Sequence, residues 1–232
     1  MRAFGCVGVL AFVSACASAP SSRTGEDVAW EMPADAHGAR LAFENSDPRA
    51  FSWRDGERGP ELVLAEPARW EAPVRAPQAI ALCTELAFGE FTLDVEVAQT
   101  GREYPHRDLC LYFGWRDAAH FGYVHLSSAA DENAHGVFLV DGAPRRQVTA
   151  RRDAGIAWGA PDAWHRVRLE RRDGRVRVFV DGASEAVMEA DAAPFRDGFC
   201  GVGSFDDVGA FRALRIRGKT VPRPDAAPFA SR

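Results

Sequence analysis

Apolar and polar residues alternate with a period of two along most of this chain. In residues 91–97 the apolar side chains are Phe91, Leu93, Val95 and Val97, and the polar ones are Thr92, Asp94 and Glu96. A strand points successive side chains to opposite faces, so this spacing predicts a strand with one buried face. Further segments of the same kind are residues 109–115, 121–128, 136–141, 164–172, 175–180, 199–205 and 211–217.

Turn signals separate these segments at intervals of about ten residues, which is typical of an all-β sandwich or barrel. Asp173-Gly174 lies between two alternating segments and predicts a tight hairpin, and Asp181-Gly182 predicts the next turn. No run of a dozen residues has helical spacing, although residues 33–41 have room for one helical turn. The pattern therefore favours an all-β domain with little helix over a parallel α/β sheet.

The first residues predict export. Arg2 precedes an apolar run over residues 3–13, which is too short to span a bilayer and has the length of a signal-peptide core. The run ends in Val13-Ser14-Ala15-Cys16, which resembles the lipobox of bacterial lipoproteins and implies lipid attachment at Cys16. Simple secretion after cleavage within residues 17–19 is the alternative. By the usual bacterial sorting pattern, Ala17 after the cysteine implies the outer membrane.

We therefore expect a lipoprotein signal peptide over residues 1–15 and an anchor with a flexible tether over residues 16–27. One β-sandwich domain follows over residues 28–218, and residues 219–232 form a loose tail. The expected location is the bacterial cell envelope, as an outer-membrane lipoprotein or else a periplasmic or secreted protein. The lipid anchor is the only expected membrane contact.

The amino-acid composition indicates which classes of binding partner the chain can have. With 47% hydrophobic and 26% charged residues, the chain is typical of a globular protein. Its formal net charge of −5 gives no electrostatic basis for binding nucleic acid. Nearly all positive charge is arginine, whose planar guanidinium suits hydroxyl and carboxylate recognition. The predicted domain contains an odd number of cysteines, namely Cys83, Cys110 and Cys200. We expect them to be buried thiols, and the sequence leaves any disulfide pairing open.

Seven motifs between residues 88 and 218 resemble one superfamily. They are Phe91-Thr92-Leu93-Asp94-Val95-Glu96-Val97, Tyr112-Phe113-Gly114-Trp115, His120-Phe121-Gly122-Tyr123-Val124-His125-Leu126, Gly142-Ala143-Pro144-Arg145, Trp164-His165-Arg166-Val167, Val178-Phe179-Val180-Asp181-Gly182 and Gly201-Val202-Gly203-Ser204-Phe205-Asp206-Asp207. Their order resembles the concanavalin A-like lectin/glucanase superfamily, nearest to exported 3-keto-disaccharide hydrolase-type and laminin-G-like domains. The resemblance implies a two-sheet antiparallel jelly-roll β-sandwich with carbohydrate on its concave face.

The first of these motifs also resembles the catalytic strand of laminarinase-type glycosidases, which carries Glu, Asp and Glu at alternate positions. Here Thr92 stands in place of the first Glu, beside Asp94 and Glu96. A retaining glycosidase needs both a nucleophile and an acid, so this departure excludes a laminarinase mechanism. Asp94 and Glu96 are interpreted as solvated strand residues.

The middle of the chain concentrates candidate chemistry. The predicted catalytic residues are His125, His135 and Arg145, and the predicted substrate-binding residues are His106, Asp108, Tyr123, Asp131, Asn133 and Trp158. Imidazoles, carboxylates, an amide and a guanidinium suit polyol binding or proton transfer. By the resemblance, either histidine would remove the proton beside the ketone of a 3-keto sugar, and Arg145 would stabilise the enolate. The alternative is that these groups make structural hydrogen bonds.

The sequence also predicts metal and stacking roles. Asp206 and Asp207 are a candidate Ca²⁺ site by analogy with relatives of this fold, although such a pair also suits a turn. A metal held by His125, Asp131 and His135 is a further alternative, and no cofactor is required. Trp158, in a predicted loop, is the candidate sugar-stacking platform, whereas Trp115 and Trp164 are expected in the core.

Two function classes remain open. The first is an exported lipoprotein whose concanavalin-like domain binds glycans at the cell envelope. The second is a glycoside hydrolase or lyase of the 3-keto-disaccharide hydrolase type, so whether the chain is an enzyme is left open. A non-catalytic envelope scaffold is a third interpretation, because fold does not determine function.

Overall fold

The computed structural model describes residue 25, residues 27–161 and residues 163–229. The described strands are β1 (Asp27–Glu31), β2 (Phe43–Asn45), β3 (Phe51–Gly56), β4 (Gly59–Leu64), β5 (Ala79–Gln99), β6 (Asp108–Asp117), β7 (His120–Ser127), β8 (Gly136–Asp141), β9 (Arg146–Gln147), β10 (Thr149–Arg152), β11 (His165–Arg172), β12 (Arg175–Val180), β13 (Met188–Asp191), β14 (Gly198–Ser204) and β15 (Gly209–Val221). One short helix, α1 (Ala36–Ala42), accompanies them in the described part of the chain. The predicted all-β class is confirmed.

The residues that predict export are not among those that the structure describes. The apolar run and Cys16 lie outside the described residues. Within the described ranges, no helix combines the length and apolar character that crossing a bilayer requires.

Helix α1 occupies the region where one helical turn was predicted. Its N-cap is Asp35, whose side chain accepts a hydrogen bond from the Gly38 N–H at 2.8 Å. Ala39 and Ala42 face the core, and the chain becomes extended at Phe43, where the helix ends.

Strand β5 organises the whole sheet. Its first part, residues 79–83, pairs with β14 and β2, and its later part, residues 91–97, pairs with β11 and β15. All pairings are antiparallel, and the main path runs β10-β13-β12-β11-β5-β14-β6-β7-β8-β9. One continuous hydrogen-bonded network therefore joins two portions of the sheet through β5.

We call these portions layer A (β1, β3, β4, β10–β13, β15 and residues 91–97) and layer B (β2, β6–β9, β14 and residues 79–83). They share one apolar core, in which Leu93 and Leu169 of layer A cluster with Leu111 and Val124 of layer B. The rings of Phe91 and Phe113 meet across it with centroids 6.2 Å apart. The layers therefore pack face to face, whereas a jelly-roll division into two separate sheets stays a prediction.

The three cysteines in the described part of the chain, Cys83, Cys110 and Cys200, are free and buried, and their burial was predicted. Cys83 and Cys200 lie directly opposite each other on the paired strands β5 and β14, inside the shared core. Cys110 belongs to a second apolar cluster, and its thiol donates to Asp108 at 3.2 Å.

This second cluster covers the outer face of layer B. Its large members are Tyr112, Trp115, Phe121, Tyr123, Phe138 and Phe199. Trp70, from the segment before β5, and Phe229, from the C-terminal segment, pack against it. The Phe229 ring lies 5.5 Å from the rings of both Trp70 and Trp115. The C-terminal segment is thus docked, contrary to the prediction of a loose tail, and β15 runs past the predicted boundary to Val221.

Replacing Phe229 by alanine is expected to lower the free energy of unfolding by about 1–2 kcal/mol, because a partly buried ring loses its contacts. Urea unfolding followed by tryptophan fluorescence measures this loss and reports on Trp70 and Trp115. Asp225→Asn, at an exposed position of the same segment, is the control. Equal stability of Phe229→Ala and the parent protein would show that the docking contributes nothing.

Candidate functional site

Strands β6 and β7 place a row of polar side chains on the outer face of layer B. Cys110 lies opposite His125, and Tyr112 opposite Tyr123, on the paired strands. The residues between them, including Val124, point into the shared core. Period-two alternation therefore brings Tyr123 and His125 to one face, as the sequence predicted.

Asp108 and His125 form a buried pair at one end of this row. The Asp108 Oδ2 lies 3.3 Å from the His125 Nε2, and the two residues are 1% and 4% exposed. The same carboxylate accepts from the Phe205 N–H at 2.8 Å and the Ser204 hydroxyl at 3.1 Å, as well as from Cys110. Burial acts to raise the pKa of Asp108, but His125 and these donors outweigh it and hold the pKa below its ordinary value.

The second ring nitrogen of His125 is uncommitted. The buried Nδ1 has no hydrogen-bond partner among the residues that the structure describes. The His125 ring makes T-shaped contacts with the rings of Phe138 and Phe205, whose centroids lie 5.9 and 6.1 Å from its own. A carboxylate-oriented imidazole with one spare nitrogen is suited to hydrogen bonding or proton transfer.

Arg145 follows β8 and packs against the two rings that enclose His125. Its guanidinium carbon lies 4.7 Å from the Phe138 ring centroid and 4.5 Å from that of Phe205, which are cation–π distances. The Nη1 of Arg145 donates a hydrogen bond to the Tyr123 hydroxyl at 2.9 Å. The half-buried guanidinium is restrained by these two rings and by the Tyr123 hydroxyl. Its remaining N–H donors therefore lie in a fixed plane.

Two carboxylates complete the cluster. Asp207 accepts from the Tyr104 hydroxyl and from the Asp108 N–H, the latter at 2.9 Å, so it anchors two loops. Asp206 is exposed to solvent. Although the residue is exposed, partial desolvation of its carboxyl and the nearby Asp108 charge raise the pKa of Asp206, and His125 and Arg145 only partly offset them.

The structure thus brings together six of the predicted residues, which we call the Arg145 site: Asp108, Tyr123, His125, Arg145, Asp206 and Asp207. Sequence reasoning missed Phe205 as its aromatic wall. The motif containing Phe205 was visible, but only the pairing of β14 with β6 places its ring over Arg145 and His125.

Oxygen ligands for a cation are present in this site. Carboxylate oxygens of Asp108, Asp206 and Asp207 lie within 4.8 Å of one another, the ligand type that Ca²⁺ prefers. Asp108 and Asp207 already accept several hydrogen bonds, which a bound cation would compete with. Ca²⁺ therefore stays a prediction. The alternative set of His125, Asp131 and His135 does not converge, since Asp131 pairs with His106 and His135 with Asp153.

A separate loop cluster holds three other predicted residues. The His106 Nε2 lies 2.6 Å from Asp131 Oδ2, and the Asn133 N–H donates to Asp131 at 2.7 Å. Burial acts to raise the pKa of Asp131, but these donors and His106 bring it below its ordinary value. The cluster is half-exposed or exposed, and its contacts keep the loop in shape.

His135 is fully buried, contrary to its prediction as a catalytic base. Its Nε2 lies 2.6 Å from Asp153, and its Nδ1 accepts from the Ser127 N–H at 3.4 Å. Both nitrogens are therefore committed to the fold. Burial lowers the pKa of His135 below 6.5, although Asp153 acts in the other direction.

The depressed pKa of His135 predicts a loss of stability in mild acid. The unfolded chain binds the proton first as the pH falls below about 6.5, so stability falls from there down through the folded pKa. His135→Gln removes this titration and is expected to flatten the stability profile between pH 7 and pH 5. Urea midpoints across this range test it, with half-exposed His106→Gln as the control. An unchanged slope in His135→Gln would contradict it.

Trp158 is not the stacking platform that the sequence predicted. It is 1% exposed and lies in the shared core, where its Nε1 donates to the Arg107 carbonyl at 3.3 Å. Trp164, expected in the core, is instead half-buried beneath the guanidinium of Arg212, at 3.8 Å. Whether a tryptophan in a loop is buried depends on which other segments pack against that loop. The local sequence pattern does not indicate those long-range contacts.

Comparison with known proteins supports the fold. No protein-family model matches the chain, and no curated protein matches it. Among solved structures, the carbohydrate-binding module CBM66 from Bacillus subtilis aligns with a TM-score of 0.52 at 15% identity, over 75% of this chain and 94% of that one.

Two further structures have a TM-score of 0.50. The Emp47p carbohydrate recognition domain is 10% identical over 78% of this chain and 89% of its own. A Parabacteroides distasonis ATCC 8503 protein, described as a candidate glycosyl hydrolase, is 14% identical over 77% of this chain and 94% of its own. At such identities, the similarity establishes the fold alone.

Proposed function

We propose that this chain is an exported lipoprotein with a concanavalin-like domain of jelly-roll type that binds carbohydrate at the Arg145 site. The observation that carries the proposal is the restrained guanidinium of Arg145, which contacts the same two phenylalanine rings that enclose His125 of the Asp108–His125 pair.

These groups match the chemistry of a sugar. Hydroxyl groups both donate and accept hydrogen bonds, so a polyol site needs fixed donors and fixed acceptors. Arg145 supplies donors, Asp206 supplies acceptor oxygens, and the half-buried ring of Phe205 supplies apolar surface. The names of two similar structures, a carbohydrate-binding module and a carbohydrate recognition domain, also support this assignment.

Export rests on the sequence. The apolar run over residues 3–13 and Val13-Ser14-Ala15-Cys16 support a lipid anchor at the outer membrane. Cleavage before Cys16 with acylation would appear in the intact mass of the protein extracted from membranes. Recovery of a soluble protein cut within residues 17–19 would leave a periplasmic or secreted protein.

A 3-keto-glycoside hydrolase or lyase is the second candidate function, favoured by the uncommitted Nδ1 of His125. In that reaction Nδ1 would take the proton beside the ketone, and the C–H electron pair would form an enolate. The enolate would then expel the glycosidic oxygen, which leaves as an alcohol after protonation. Arg145 would stabilise the developing oxyanion. Because His125 is 4% exposed, this candidate requires the cover of Arg145 and Phe205 to open.

One experiment separates these functions. The full chain is titrated calorimetrically with neutral gluco-, xylo- and galacto-oligosaccharides, and incubated with the 3-keto forms of glycosides. Arg145→Gln is expected to abolish binding, whereas Arg175→Gln, an exposed ion-paired residue of layer A, should not.

Binding without release supports the binding protein, and release from keto substrates alone supports the hydrolase. If neither occurs, both functions are excluded and the scaffold interpretation is the one left.

A further inference from the structure

A groove of about 650 Å³ lies on the outer face of layer A. Its lining includes Arg58, Asp94, Glu96, Arg166, Arg168 and Phe179, and we call it the arginine groove. Leu93 and Val95 point from the same strand into the shared core. The arginine groove and the Arg145 site are therefore on opposite outer faces, with the core between them.

Glu96 forms a fixed floor. It is 8% exposed, and its carboxylate lies 2.8 Å from Arg212 Nε, 3.0 Å from Arg58 Nη1 and 3.7 Å from Arg166 Nε. The prediction that Glu96 is a solvated residue is thus wrong. Arg212 is also buried, and it is held by Glu61 at 3.2 Å.

Positive charge is in excess at this floor. Among the described residues, the four guanidiniums of Arg54, Arg58, Arg166 and Arg212 pair with the two carboxylates of Glu61 and Glu96. Other charges along the groove have opposite partners, and the Asp181 carboxylate beside Arg166 accepts from the Arg166 N–H at 2.9 Å and lies 2.8 Å from the His165 Nδ1. Arg168 pairs with Asp94, Arg215 pairs with Glu31, and Arg177 lies opposite Glu170.

The excess charge sits on the exposed arginines. The buried pair of Arg212 and Glu96 is self-compensating, whereas the side chains of Arg58 and Arg166 are 57% and 76% exposed. A guanidinium has five N–H donors, so both residues retain free donors beside the groove. An entering anion would meet two guanidiniums that are already oriented by Glu96.

The backbone beside the groove is strained. Ala213, which lines it, has a φ of +54° where the pairing of β15 shifts register between Arg212 and Arg215. A positive φ is costly for a residue with a Cβ, and bulges concentrate near functional sites. The half-buried Phe179 ring adds an apolar surface on the same face.

We infer that the arginine groove is a second carbohydrate site, which takes sugars that carry carboxylates. Arg58 and Arg166 bind the uronate carboxylate, Phe179 contacts the apolar face of the ring, and Asp94 accepts from hydroxyls. This inference rests on the proposed carbohydrate-binding function and adds to it a separate site and a ligand class.

The test titrates the full chain with oligomers of galacturonate, glucuronate and mannuronate, and with the neutral oligosaccharides. Arg58→Gln combined with Arg166→Gln is expected to weaken binding of at least one uronate oligomer tenfold or more. Added salt should weaken that binding in the parent protein, because the ligand is charged. Arg175→Gln, on the same layer but outside the groove, should bind as the parent does.

The outcomes separate the two proposals. If uronate binding survives the double substitution but disappears in Arg145→Gln, the groove assignment is wrong and the proposed function stands. The same holds if neutral sugars bind and uronates do not. If no sugar of either kind binds, the proposed function fails together with the groove. Thermal melting of the double variant checks that it is folded, as its two exposed positions lead us to expect.

Discussion

Replacing Asp108 by alanine is expected to lower the free energy of unfolding by about 3–5 kcal/mol, the cost of breaking a buried charge pair from one side. The carboxylate is 1% exposed and accepts from Phe205, Ser204 and Cys110 while facing His125. Alanine leaves all of these groups without their acceptor in a dry site. Urea unfolding at neutral pH measures the loss.

Two further variants give this prediction its controls. Asp108→Asn keeps one acceptor oxygen and should lose less than alanine. Asp191→Ala removes an exposed carboxylate that pairs with Arg175, and it should change stability by about 0.5 kcal/mol or less. If Asp108→Ala were as stable as Asp191→Ala, Asp108 would not be a structural centre of the Arg145 site.

Acid should remove the contribution of Asp108. Its folded pKa lies below the ordinary value of 3.8, so its stabilisation is complete above that value and is lost as the pH falls through the folded pKa. Asp206 and Asp207 have raised pKa values and act in the opposite direction in the same acid range. The difference between the parent protein and Asp108→Asn should therefore shrink below about pH 4.

The period-two pattern anticipated the strands and the faces of their residues. Alternation placed Tyr123 and His125 together, and the structure agrees because a strand has no other way to arrange them. The convergence of Arg145 and Phe205 was beyond the local pattern. It depends on β8 and β14 lying on either side of the β6–β7 pair, a long-range choice that spacing along the chain does not encode.

The misplaced residues share a different cause. His135 and Trp158 lie in connections between strands, where no periodicity indicates burial, and both were predicted to be accessible. Glu96 shows that periodicity can identify the outer face yet miss the chemistry on it. The arginines that enclose it come from β11, β15 and the β3–β4 turn, which only the fold brings together.

Replacing Arg212 by methionine is expected to lower the free energy of unfolding by about 3 kcal/mol, at the lower end of the cost of breaking a buried ion pair. The substitution leaves Glu61 and Glu96 buried, at 5% and 8% exposed, and removes the cation over Trp164. The loss stays at the lower end because Arg54 and Arg58 still contact the two carboxylates. Chemical unfolding at neutral pH measures it.

A charge-removal series identifies the cause. Arg58→Gln, which changes an exposed partner of Glu96, should cost about 1 kcal/mol or less. Adding Glu61→Leu and Glu96→Leu to Arg212→Met removes the stranded carboxylates and should recover much of the lost stability, because buried ion groups exchange for apolar ones at little net cost. If the triple variant were less stable than Arg212→Met alone, packing of the guanidinium on Trp164 would be the dominant contribution. The floor of the arginine groove would then be held mainly by the stacking of Arg212 on Trp164.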